Sequence, residues 1–154
     1  MGPNVVACSA AISACGRSQK WEYSLAVMDN MLLLRLSPNV VACTALVSAC
    51  EKDRNWELAL HVLVEMKCMG LELNLLTYNA AIGSCEKGAQ WQLALALLDE
   101  ACTRRLQPDV TSYSAVISSC GNTADGKWEL VIWLFTHAGR RRLHPDAVAY
   151  GAAL

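Results

Sequence analysis

The sequence predicts an all-α solenoid of antiparallel helix pairs, and three observations predict it. The segment Leu75 to Asp109, shifted back by thirty-five residues, lands on Val40 to Asn74 with Cys85 on Cys50, Glu86-Lys87 on Glu51-Lys52 and Trp91 on Trp56. Apolar residues in the first half of each copy recur at the spacing of one helical face. Proline punctuates the joints at Pro38, Pro108 and Pro145, where a preceding helix cannot continue. Self-similarity at such a period is the mark of units that bury their apolar faces only against their neighbours.

Four units follow, residues 5–39, 40–74, 75–109 and 110–146, with a partial fifth at 147–154, in a single repeat array over 1–154. In the fourth, Trp128 arrives two residues late because the turn before it is longer. The second joint has Leu73 in place of proline and relies on Gly70 alone as a helix stop, so it is expected to be less sharply fixed.

The first helix of each unit carries the stripes Cys8-Ala11-Ile12-Cys15, Cys43-Leu46-Val47-Cys50, Tyr78-Ala81-Ile82-Cys85 and Tyr113-Val116-Ile117-Cys120. Its opposite face holds Ser9-Ser13-Arg17, Thr44-Ser48-Lys52, Asn79-Gly83-Lys87 and Ser114-Ser118-Asn122. These residues are small and hydrogen-bonding and almost free of acid, a face shaped for close approach. The second helix carries Trp21-Leu25-Met28, Trp56-Leu60-Leu63, Trp91-Leu95-Leu98 and Trp128-Ile132-Phe135, and half of the acidic residues, Glu22, Asp29, Glu57, Glu65, Asp99, Glu100 and Glu129. The repeated tryptophans are expected in the core between helices, each burying on the order of 150 to 250 Å².

Composition narrows the function classes. A net charge of -1 offers no global field for nucleic acid, so any anion-binding surface must come from where charges sit. Four of the eight cysteines occupy one repeat position and none forms a CxxC pair, which suits buried apolar residues in a reducing compartment better than disulfides or metal. No apolar run is long enough for a membrane span. No HExxH, phosphate loop, nucleophile motif or spaced carboxylate pair is present, so no catalytic residue, metal or cofactor is assigned. His61, His137 and His144 share no register, and Arg140-Arg141-Arg142 reads as a solvated charge run.

Thirty-five-residue helix pairs, the Pro-Asn or Pro-Asp boundary, the openings LLTYNAAI, VTSYSAVI and AVAYGAAL, and an ALxLLxE-like second helix together resemble the pentatricopeptide repeat family. The sequence departs from the usual pattern in its tryptophans and in cysteine for tyrosine at Cys8 and Cys43. The resemblance implies a right-handed superhelix whose first helices line a groove for single-stranded RNA, with one base per repeat. It makes the fifth and last residues of each unit the readers: Ser9 with Asn39, Thr44 with Asn74, Asn79 with Asp109, and Ser114 with Asp146. It places Val6, Val41, Leu76 and Thr111 against the flat faces of bases, and Arg17, Lys52 and Lys87 near phosphates, a series that Asn122 breaks. In the family such pairs go with A, A, U and G, read 5′ to 3′.

The same resemblance implies a mitochondrial or plastid RNA-processing or expression factor, with protein partners of a larger assembly and no small-molecule substrate. The chain reads as a segment of a longer array. Two plainer readings stand beside it: Asn39, Asn74, Asp109 and Asp146 as helix caps, and Ser9, Thr44 and Ser114 as solvated surface. The alternative function is a protein-binding scaffold of tetratricopeptide type.

Overall fold

The computed structural model describes residues 4–18, 20–121 and 127–141. Among these there are eight helices and no strand: α1 (Val5–Arg17), α2 (Trp21–Leu33), α3 (Val40–Lys52), α4 (Trp56–Cys68), α5 (Leu75–Lys87), α6 (Trp91–Thr103), α7 (Val110–Gly121) and α8 (Trp128–Arg140). Each pairs with the next as a hairpin, and the chain is an all-α helical-repeat solenoid. The first helices stack in a row, α1 on α3, α3 on α5 and α5 on α7, while each second helix also leans on the first helix that follows it.

Local chemistry explains the helix ends. Asn4, Asn39 and Asn74 each accept the backbone N–H three residues on, from Ala7, Ala42 and Thr77, at 2.7, 2.8 and 2.9 Å. Asp109 does the same for Ser112 at 3.0 Å. These caps satisfy donors that a helix start leaves orphaned. At the other ends the chain turns through the left-handed region at Arg35, Arg54, Gly70, Ala89 and Arg105. Turn bonds between residues five apart close around them, such as Gln90 N–H to Cys85 O at 2.8 Å and Leu71 N–H to Met66 O at 3.0 Å.

The joint at Leu73 differs from the expectation. Its flanking helices have the same lengths as their counterparts, Leu73 is buried, and Gly70 takes the same left-handed turn that Arg35 and Arg105 take. Proline is dispensable there because the turn and the Asn74 cap stop and restart the chain without it.

The first-helix stripes are buried as predicted from Cys43 through Cys120, with Leu46, Val47, Tyr78, Ala81, Tyr113, Val116 and Ile117 at 1% exposure or less. The second helices differ from expectation by about one residue. Their inner face is Ser24-Met28-Met31, Ala59-Val62-Leu63-Met66, Ala94-Leu97-Leu98-Ala101 and Val131-Leu134-Ala138. Small residues sit at the closest helix crossing, with Ser24 Oγ donating to Ile12 O at 3.2 Å. The tryptophans open the second helices at the edge of that core. Trp21, Trp56 and Trp91 are half-buried and Trp128 is 63% exposed. Trp56 lies over the next unit's turn, where a Cβ at Gly88 would fall inside the indole. Lys127 sits 5.6 Å from the Trp91 ring in the same way. These indoles seal turn to turn.

Candidate nucleic-acid interface

Stacking the first helices brings the fifth residue of one unit beside the last residue of the same unit, because that last residue caps the following first helix. Ser9 Oγ lies 3.2 Å from Asn39 Oδ1, although its hydroxyl donates more closely to Val5 O at 2.7 Å. Asn79 Nδ2 donates to Asp109 Oδ1 at 3.3 Å. Thr44 reaches Asn74 through one intermediate: Thr44 Oγ1 is 2.7 Å from Thr77 Oγ1, which donates to Asn74 Oδ1 at 2.8 Å. Ser114 is buried with no hydrogen-bond partner among the described residues, and Asp146 lies outside them.

The capping reading therefore holds for Asn39, Asn74 and Asp109, and it is compatible with a second role. Capping engages one oxygen of each side chain and fixes its rotamer. It leaves the amide Nδ2 of Asn39 and Asn74, and Oδ2 of Asp109, for other partners. The solvated-surface reading fails for Ser9, Thr44 and Ser114, each only 6% exposed. They form the floor of a groove between helices.

Its rim is apolar and open. Val6, Val41 and Leu76 are 74%, 62% and 65% exposed, and Thr111 is exposed at the same register. Water-facing aliphatic side chains repeated at one register are unfavourable unless covered. Between Val41 and Leu76 is a hollow of about 260 Å³ that also takes in Thr44, Ser48 and Asn74.

Arg17, Lys52 and Lys87 are exposed at the last turn of α1, α3 and α5. Each has a local engagement: Arg17 Nε with Ser13 O at 3.4 Å, Lys52 Nζ with Gly16 O at 3.5 Å, and Lys87 with Glu51 at 3.7 Å. Such long, half-exposed contacts are weak and exchangeable. Among the described residues no His, Cys, Asp and Glu group could hold a metal, and no helix is long and apolar enough to cross a membrane.

The other polar cluster, missed in the sequence, lies on the outer side. Glu100 meets Lys67 Nζ at 2.7 Å, Arg104 Nε at 3.3 Å and Tyr78 Oη at 3.0 Å. Burial alone would raise the Glu100 carboxyl, but the bonds from Lys67 and Tyr78 and the charges of Lys67 and Arg104 hold it below the ordinary range. Burial, aided by the Glu100 bond and charge, pushes the Tyr78 phenol up to about 12. The signal was the pairing of Tyr78 with an acid on the following helix; Tyr113 repeats it with His137 Nδ1 at 2.7 Å.

A family model described as pentatricopeptide repeat domain matches residues 26–88. Among solved structures, the pentatricopeptide repeat protein PPR10 in complex with an 18-nt psaJ RNA element aligns with a TM-score of 0.82 and 21% identity, covering 99% of this chain. The structure of PPR10 from maize aligns at 0.68 and 26% identity, covering 99% of this chain and 21% of that one. The PPR domain of Arabidopsis thaliana protein-only RNase P 1, in complex with tRNA, aligns at 0.83 and 12% identity, covering 92% of this chain and 74% of that one. This chain spans 22% of the PPR10 chain in its RNA complex. No curated protein matches significantly. The family match runs from the second helix of one unit through the whole of the next and into a third, so residues 26–88 carry the pentatricopeptide repeat pattern, on a fold shared with these structures.

Proposed function

We propose that this chain binds single-stranded RNA in the groove of its first helices, one base per unit, without a catalytic step of its own. The observation that carries the reading is the side-by-side placement of fifth and last residues beneath an open aliphatic rim. The RNA bound by the similar structures supports it. The wider role follows the family: an organellar RNA-processing or expression factor, working with protein partners.

The base preferences follow from which atoms are left over. Where Oδ1 of Asn39 or Asn74 is engaged by the helix cap, the amide offers a donor, and the neighbouring Ser9 or Thr44 oxygen offers an acceptor. That pair complements adenine, whose edge presents an amino donor beside a ring-nitrogen acceptor. Asp109 offers only acceptors and Asn79 an amide donor, a match for the N–H and carbonyl of uracil. Ser114 with Asp146 would take guanine. Val6, Val41, Leu76 and Thr111 would sandwich the base planes.

Base stacking contributes about 1 to 3 kcal/mol per base, so the described units bind weakly and need low salt. Fluorescence anisotropy with short RNAs carrying AAUG, scrambled AGUA or oligo-C, at two salt concentrations, tests the proposal. Preference for AAUG and weaker binding at the higher salt are expected, since phosphate contacts release counterions. Salt-insensitive binding, or equal binding of all three RNAs, would overturn the base assignments and favour a groove for peptide.

A further inference from the structure

We infer that the third residue of the following unit, Thr77 or Ser112, is a specificity-determining residue for the base read by the unit before it. The inference rests on the RNA-reading proposal above and adds a residue to each reader pair. Both side chains are buried, at 0% and 1% exposure, so neither touches the RNA itself. Both place a hydroxyl between the two readers.

The direction of each proton can be followed at Thr77. Asn74 Oδ1 receives the Thr77 backbone N–H at 2.9 Å, so that side of the amide is oxygen and its orientation is fixed. This oxygen carries no proton, so the Thr77 hydroxyl must be the donor in their 2.8 Å contact. A hydroxyl has one proton. In the 2.7 Å contact between the two threonines, Thr44 must therefore donate. Thr44 is left with lone pairs alone, a fixed acceptor beside the fixed amide donor of Asn74. That combination selects adenine over guanine, whose corresponding edge presents a carbonyl acceptor and a ring N–H.

Ser112 works in the same place one unit later. Its hydroxyl lies 3.0 Å from Asp109 Oδ1 but gives its one proton to the nearer Asn79 Oδ1, its N–H goes to Asp109 Oδ1 at 3.0 Å, and the Asp109 N–H approaches its Oγ at 3.2 Å. The Asn79 carbonyl is thereby held toward Ser112 and its Nδ2 toward Asp109. The first pair supplies the contrast. Ala42 stands at this register, and the Ser9 proton is directed to Val5 O or Asn39 instead. A first-unit hydroxyl that can redirect its proton discriminates less.

The test uses the whole chain with Thr77→Val and Thr77→Ser, and RNAs differing only at the second base (A or G) or only at the third (U or C). Thr77→Val keeps shape and backbone cap but frees the Thr44 proton. The A-over-G ratio at the second base is expected to fall by about two- to tenfold, the range of one hydrogen bond, while the third-base ratio stays and Thr77→Ser restores the second. An unchanged A-over-G ratio in the valine variant, or an equal fall at both bases, overturns the inference. A wild-type chain without preference at either base overturns the RNA-reading proposal and this inference with it.

Discussion

At the scale of single residues, the fourth position of each unit decides how the outer side of the repeat is filled. Tyr78 and Tyr113 are fully buried there and end on Glu100 and His137 of the next helix. Cys43 occupies the same register over Glu65, and the missing ring leaves a hollow of about 410 Å³ lined by Met28, Leu46, Val62 and Glu65 among others. A tyrosine at this position would fill part of that space and set its hydroxyl toward Glu65. We predict that Cys43→Tyr stabilises the fold by about 1 to 2 kcal/mol, the value of burying much of an aromatic side chain, read as a higher midpoint in urea unfolding. A lower midpoint would mean that the hollow is too narrow for the ring. The sequence showed the cysteine as a departure from the family pattern; that an aromatic ring's place stands partly open required the hollow that residues of α2, α3 and α4 line together.

At the scale of helices, the ends carry as much of the design as the faces. The Asn and Asp caps were legible as caps and, through the resemblance, as readers; the structure shows the caps at Asn39, Asn74 and Asp109, and under the proposed function capping fixes the atom left for a base. The left-handed turns were legible only at Gly70. Arg54 and Ala89 adopt the same conformation at φ 59° and 55° with side chains that disfavour it. Ala89→Gly is expected to raise stability by about 0.5 to 1 kcal/mol, since relief of the left-handed strain exceeds the entropy cost of glycine. Thermal unfolding followed by circular dichroism checks it, and a lower Tm would contradict it. The tryptophans were misplaced in the sequence reading because a large apolar residue at a fixed register reads as core. The core instead takes small residues, Ala59 and Ala94, where helices cross, and the indoles close the turns between units.

At the scale of the whole molecule, stability is shared along the stack of first helices, and the recurring thiols give it a pH signature. Burial raises Cys43, Cys85 and Cys120 to about 11 and Cys50 to about 12, from an ordinary 9.0, with Glu65 adding to Cys43 and Asp53 to Cys50. The folded chain holds these protons after the unfolded chain has lost them. Their contribution is complete below about pH 9 and declines as pH rises through the folded values of about 11 to 12. Urea midpoints are expected to fall steadily above pH 9, less so in Cys50→Ala; a flat profile between pH 8 and 10.5 would contradict this. The fold class was open in the sequence because one unit recurs four times, so every stripe was seen repeatedly. The hydrogen-bond network beneath the proposed readers was partly closed to it, since Thr77 and Ser112 bond across a joint between units and no spacing within one unit reveals them. The central claim is that a base is read by the fifth and last residues of one unit together. Its most direct test is Asn79→Thr with Asp109→Asn, which copies the second pair into the third unit, measured by anisotropy on AAUG and AAAG RNAs at low salt. The account predicts that preference at the third base moves from U to A. A folded double variant that still prefers U would contradict it.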